Sequence, residues 1–256
     1  MLKNTTILRT RQWNASPKWI RVWVLMAGAF ASVGALGQRP AVQSVVNAVT
    51  NDTVLSPGVV ARVSGTFVGK SSVTVGGRKA YVFSSSANQI LVQIPIELDP
   101  GVAQLTVVSE NATATFHVTL QPYAPGLTRA DALASGAGWF TDTTGTPINE
   151  QNPARPGDTI TVSATGLGAT LIYVATGEIS PDDKQTTAQP ILTVGGKLAK
   201  MVFAGLPATS DLALLGTYRI TFVVPKNAPI GLDDVVLTIG GVSSNTVILP
   251  VVPATH

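Results

Sequence analysis

Two histidines, a scatter of acids and a single tryptophan beyond residue 37 are the residues of this 256-residue chain whose types suggest chemistry. His117 lies in Thr115-Phe116-His117-Val118-Thr119-Leu120, where strand alternation sends Phe116, Val118 and Leu120 to one face and His117 with the two threonines to the other. A Ser-His-Asp nucleophile needs an imidazole beside a serine on an exposed elbow, and no Gly-x-Ser-x-Gly phrase occurs. His117 therefore reads as a solvent-face residue and His256 as a chain end. Among the acids, Glu178, Asp182 and Asp183 cluster in sequence, Asp142 stands apart, and Asp233-Asp234 are adjacent. Calcium loops alternate acids and close with a glycine and a distal glutamate, a pattern absent here, so these acids read as solvated turns. Glycoside hydrolysis needs two carboxylates that distant strands can bring together, and spacing singles out no pair. Trp139-Phe140 could stack on a sugar ring or seal a domain junction, and the junction is the expectation because aromatic surface buries so well. The candidate ligand surface is Trp139, Phe140, Asp142, Glu178, Asp182 and Asp183. No catalytic, metal or cofactor residue is assigned, and the chain is expected not to be an enzyme.

The elements that must position these residues come in two copies. Pro57-Gly58-Val59-Val60-Ala61-Arg62-Val63-Ser64-Gly65-Thr66-Phe67-Val68-Gly69 returns in register as Pro156-Gly157-Asp158-Thr159-Ile160-Thr161-Val162-Ser163-Ala164-Thr165-Gly166-Leu167-Gly168. Thr74-Val75-Gly76-Gly77 and Thr193-Val194-Gly195-Gly196 follow, then strands ending at Ile94-Pro95 and Val224-Pro225. Order-preserving self-similarity of this kind marks a duplicated unit. The glycine phrases open no helix after a strand, so they are turns and not phosphate loops.

Within each copy the pattern is that of short strands. Val59, Ala61 and Val63 alternate with Val60, Arg62 and Ser64, the period of a strand with one buried face. The pairs Gly76-Gly77 and Gly240-Gly241 predict tight hairpins, because such turns need positive φ at their centre. Gln89–Ile94 stops at Pro95, which has no N–H to give a ladder. Ala103–Val108 and Thr113–Leu120 form a further hairpin. Strands this short and regular, with no helical period, predict a β-sandwich in each copy. Gln121-Pro122-Tyr123-Ala124-Pro125-Gly126 is a proline-stiffened hinge that limits the angle between copies. The second copy is longer, with Trp139–Asp142 and Thr146–Ile148 as a small hairpin over the hinge and an insertion at 169–189, and functional differences tend to reside in such loops. Gly216-Thr217-Tyr218 is either a tyrosine corner of the immunoglobulin-like type or an ordinary interface tyrosine.

Hydrophobic residues make up 45% of the chain and charged residues 12%, which excludes a disordered polyelectrolyte, and there is no cysteine to form a disulfide or a thiolate site. Residues 1–37 read as an export signal: Lys3, Arg9, Arg11, Lys18 and Arg21 precede an apolar run from Val22 to Gly34, and Ala35-Leu36-Gly37 is a small-residue cleavage site before Gln38. The run is shorter than the roughly 20 residues of a spanning helix. Any membrane contact would thus be through an uncleaved leader. The chain has 17 Lys and Arg against 14 Asp and Glu; five cations belong to the leader, leaving twelve against fourteen and a mildly acidic remainder. The remaining cations are scattered, which argues against a nucleic-acid groove.

The phrases Asn152-Pro153-Ala154-Arg155-Pro156-Gly157-Asp158, Ala164-Thr165-Gly166-Leu167-Gly168, Thr193-Val194-Gly195-Gly196, Phe203-Ala204-Gly205-Leu206 and Val236–Asn245 resemble the Solibacter-type C-terminal domain family of acidobacterial exported proteins. The resemblance covers about Ser44 to Val251. It implies an immunoglobulin-like module related to IPT/TIG domains, with no established catalytic role. In that family the unit commonly ends larger proteins, whereas here little precedes it. The expected chain is all-β, with a signal segment (1–37) and two tandem immunoglobulin-like sandwiches (38–122 and 123–256). The expected role is extracellular binding of a protein or polysaccharide, or structural display, at the cell surface or after secretion. The alternative is a glycan-binding accessory protein or hydrolase using the second-copy insertions.

Overall fold

The duplication recurs in the backbone hydrogen bonds of the shared strands in the computed structural model, which describes residues 39–130 and 136–254. The leader, its cleavage site and His256 lie outside the described residues. In the first copy the strands are β1 (Ala41–Asn47), β2 (Val60–Thr66), β3 (Ser71–Val75), β4 (Arg78–Lys79), β5 (Tyr81–Ser85), β6 (Gln89–Gln93), β7 (Gly101–Ser109) and β8 (Ala112–Leu120). They form two antiparallel sheets, β1-β2-β6-β5 and β4-β3-β7-β8.

The second copy comprises β9 (Gly126–Leu127), β10 (Phe140–Asp142), β11 (Pro147–Ile148), β12 (Thr159–Thr165), β13 (Lys184–Gln185), β14 (Ile191–Val194), β15 (Lys197–Leu198), β16 (Lys200–Leu206), β17 (Tyr218–Val223), β18 (Gly231–Ile239), β19 (Val242–Ser243) and β20 (Val247–Val251). One sheet runs β11-β10-β12-β17-β16-β13 with β9 also on β12; the other runs β15-β14-β18, with β19 and β20 both on β18.

Equivalent bonds close both copies. Gly58 N–H donates to the Ile94 carbonyl and Gly157 N–H to that of Val224, both at 2.9 Å. Ala80 donates to Val73 as Ala199 does to Leu192. Leu55 bridges Leu120 in parallel, as Ala154 bridges Val251. The paired glycines turn as their lack of Cβ allows, with φ of +55° and +77° at Gly76-Gly77 and +52° and +73° at Gly195-Gly196. The chain is thus an all-β tandem of immunoglobulin-like sandwiches.

Each sandwich fills with the inward residues of its strands. Val45, Ala61, Val63, Val75, Ile90, Leu105, Val107 and Leu120 are buried in the first. Ile160, Val162, Leu192, Tyr218, Ile220, Phe222, Val235 and Leu249 are buried in the second, where Phe140 meets Phe222 edge to face with ring centroids 6.4 Å apart. His117 faces solvent from β8, with Thr115 and Thr119 on the same face and Val118 and Leu120 on the buried one.

One inward position departs from the pattern. Asp233 on β18 occupies the place of Ala103 on β7, since Val235 pairs with Val194 as Leu105 does with Val75. It is 6% exposed and its Oδ2 has no partner among the described residues. Burial, then the neighbouring Asp234 carboxylate, push its pKa above the ordinary aspartate value. A raised folded-state pKa penalises the fold once pH exceeds the unfolded value of about 4. Asp233→Ala is therefore expected to stabilise the chain at pH 7 by about 1–2 kcal/mol, the typical cost of an unsatisfied buried polar group. The gain should shrink towards pH 3. Thermal melts at the two pH values check this, and a loss of stability at pH 7 would contradict it.

Candidate functional site

The insertion at 169–189 is anchored to its own sandwich and reaches to the other. Its ends are zipped together, with Leu171 N–H donating to Gln185 at 2.8 Å and Thr187 N–H to Ala169 at 2.9 Å, and β13 adds to β16 at the sheet edge. Its middle crosses to the first sandwich just past Pro95. Tyr173 donates its hydroxyl to Glu97 Oε1 at 2.7 Å, Thr176 N–H reaches the same oxygen at 3.0 Å, and Thr176 Oγ1 donates to Oε2 at 2.7 Å. Ile96 N–H donates to Thr176 Oγ1 at 2.9 Å and Gly177 N–H to Gln93 Oε1 at 2.9 Å. Gly177 lies against the Tyr81 ring, so close that a Cβ would come within 2.8 Å of it. This is an interdomain clamp centred on one carboxylate.

Partial burial raises the Glu97 pKa, but the bonds from the Thr176 amide, the Tyr173 hydroxyl and the Thr176 hydroxyl outweigh it and hold the group at about 2. The same bond pushes Tyr173 up to about 12. A depressed carboxylate pKa gives stability that is present above the ordinary value and lost as pH falls through the folded one. The clamp is expected to hold at any pH above about 4.5 and to loosen only as pH falls towards 2. Protease sensitivity of the 121–126 hinge between pH 7 and pH 2 reads this, and loosening already at pH 5 would contradict it.

The hinge side is sealed by other groups. Ala124 N–H donates to the Gly166 carbonyl at 2.9 Å, Asn47 Nδ2 donates to the Ala124 carbonyl at 3.4 Å, and the Tyr123 ring packs on Gly168 and Gly240. Tyr218 is buried and its hydroxyl donates to the Gly168 carbonyl, 50 residues back in the chain. It ties the start of β17 to the loop after β12 and is no local corner. The cleft bordered by Gly58, Gln93 and Ile96 of one copy and by Ala175, Glu178 and Thr217 of the other completes the junction.

The outward face of the second sandwich's larger sheet carries a different chemistry. Register aligns Thr141, Thr161, Thr221 and Phe203 across β10, β12, β17 and β16. The Thr161 and Thr221 hydroxyls are 3.0 Å apart. Arg219 on the same face lies 4.5 Å over the Phe203 ring and bonds Asp183, which also accepts the Ala208 N–H at 2.8 Å. Because Phe140 points inward, alternation turns Trp139 outward, and it is 48% exposed at the opposite edge of this face. Beyond Phe203 the face ends in a shallow groove lined by Leu171, Ile172, Lys184 and Gln185.

These positions correct several expectations. Phe140 is 1% exposed and belongs to the core, so it offers nothing to a ligand. Trp139 does not seal the junction; Tyr81, Tyr123 and Tyr173 are the rings found there. Its hairpin, β10 with β11, forms as expected, but Asp142 caps the turn by accepting from Thr144 N–H and Oγ1 and from Thr146 N–H. Those bonds, the Thr144 hydroxyl foremost, lower its pKa. Glu178 sits at the rim of the junction cleft, and Asp182, with a side chain 78% exposed, meets Lys184 at 3.4 Å. Trp139 and Asp183 alone share a face. Glu97, Gln93 and Tyr173, which hold the clamp, carried no sequence signal beyond their place beside a strand-ending proline or within the insertion. Among the described residues no three of His, Asp and Glu gather at one point, and no helix is long and apolar enough to cross a membrane.

No family model and no curated protein matches the chain. Solved structures do. SGBP-B of a Bacteroides ovatus mixed-linkage glucan utilization locus, in complex with a mixed-linkage heptasaccharide, is 16% identical over 85% of this chain and 48% of its own, with a TM-score of 0.37. A structure with xylogluco-oligosaccharide is 15% identical over 83% and 41%, with a TM-score of 0.29. The I9–I11 tandem of titin is 14% identical over 85% and 67%, with a TM-score of 0.24. The chain spans less than half the length of the two saccharide-bound proteins.

Proposed function

We propose that the chain is an exported, non-catalytic binding module, released or held at the cell surface, whose partner is an extracellular protein or polysaccharide. The observation that carries this reading is the second copy's insertion, which is spent on the Glu97 clamp and leaves one sheet face presented at a fixed angle. The phrase-level resemblance to Solibacter-type domains supports the same reading, and so does the basic, then apolar leader. A hydrolase is less well supported. Asp142 and Asp183 sit beside opposite edges of one sheet, four strand spacings or roughly 19 Å apart, where paired glycosidase carboxylates lie within about 10 Å.

Fractionation of cells producing the full chain, together with retention of envelope material on the immobilised mature chain, tests the proposal. The expected result is a surface or extracellular location and a retained envelope component. A cytosolic location, or no retention from any envelope fraction, would overturn it.

A further inference from the structure

Resting on that reading, we infer that the outward face between Trp139 and Phe203 is a glycan platform, which takes an uncharged polysaccharide chain laid across the strands. The two copies supply an internal comparison. Where the first has Arg62, Leu91 and Ser84 in one cross-strand row, the second has Thr161, Thr221 and Phe203. The scaffold is common and the face is not. Trp139 and Phe203 are three strand spacings apart across the sheet, roughly 14 Å, the reach of a short oligosaccharide.

The chemistry of the row fits sugars. A pyranose has an apolar C–H face that stacks on an aromatic ring and a rim of hydroxyls that exchange hydrogen bonds. Exposed Trp139 offers the ring at one end, and exposed Leu171 and Ile172, beside the Phe203 ring on which Arg219 lies, offer apolar surface at the other. Between them lie Thr141, Thr161, Thr221 and Ser163, all able to donate and accept. Arg219 pairs with Asp183 and Lys184 with Asp182, while Lys200, opposite Val223 one row on, is exposed on the same face. The row itself carries no charged side chain, and its hydroxyls match the rim of an uncharged sugar chain.

Affinity electrophoresis of the mature chain through gels containing hydroxyethylcellulose, xylan, galactomannan or starch, with polygalacturonate as the charged comparison, tests the platform. At least one neutral polysaccharide should retard the chain, and Trp139→Ala and Phe203→Ala should each weaken the retardation tenfold or more while their melts show them folded. Trp139→Phe should recover part of it, and Ser84→Ala, at the matching place in the first copy, should change nothing. Retardation by polygalacturonate alone, or retardation unchanged in the Trp139→Ala/Phe203→Ala double variant, would overturn the inference. If no neutral polysaccharide retards the chain while envelope material is still retained, the platform falls and the binding-module reading stands; if neither binds, both fall.

Discussion

Adding one methyl group at Gly166 is expected to destabilise the chain by about 3–5 kcal/mol, near the upper end of what single substitutions do. Two costs combine. Gly166 has φ of +72°, which an L-residue adopts at a cost of about 1–2 kcal/mol. The new Cβ would also overlap the Ala124 carbonyl oxygen, a backbone atom that cannot swing aside. Relieving the overlap breaks the Ala124-to-Gly166 bond that fastens the hinge to the end of β12. Gly196→Ala is the control. Its φ is +73°, but no atom lies within 4 Å of the new methyl, so only the backbone cost of about 1–2 kcal/mol is expected. Urea unfolding of the two variants measures the difference; equal losses would mean that the hinge contact is not held as described.

Glu97→Ala is expected to undo the clamp without unfolding either sandwich. The substitution removes three hydrogen bonds to a charged acceptor and leaves the Thr176 N–H and hydroxyl and the Tyr173 hydroxyl seeking water. Discounted for partial exposure, the docking of one sandwich on the other should lose about 2–3 kcal/mol. Each copy has its own buried cluster, so the loss should appear as protease cutting in the 121–126 hinge and as two separate melting steps. Glu97→Gln, which keeps the acceptor at Oε1 but not the charge, should fall between. A variant that melts in one step and resists cutting as the wild type does would show that the junction rests on the hinge contacts alone.

Much of the architecture could be read from the residues, because strand alternation and paired glycines are local signals. Val59, Ala61 and Val63 announced a buried strand face, and Gly76-Gly77, Gly195-Gly196 and Gly240-Gly241 announced turns. The duplication could be read because equivalent bonds need equivalent residues, as at Gly58 and Gly157. The use of the insertion could not, because Tyr173 and Thr176 meet Glu97 from 76 and 79 residues away. Which of Trp139 and Phe140 turns inward is hidden from the sequence for a related reason. Alternation separates neighbours, and which of the two faces the core depends on Val162 and Phe222 lying beneath the hairpin. The row Thr141–Thr161–Thr221–Phe203 exists only once four strands are in register, including the bulge of β16 between Met201 and Phe203.

The claim on which the rest depends is that the two copies form one fixed unit held by Glu97. The chain has no cysteine, so Lys79→Cys and Lys197→Cys, at exposed places on the β4 and β15 hairpins of the two copies, give two unique labelling sites. Pulsed electron paramagnetic resonance between spin labels at these sites should give one narrow distance distribution, which broadens when Glu97→Ala is added. A broad distribution in the chain with Glu97 intact would contradict the account.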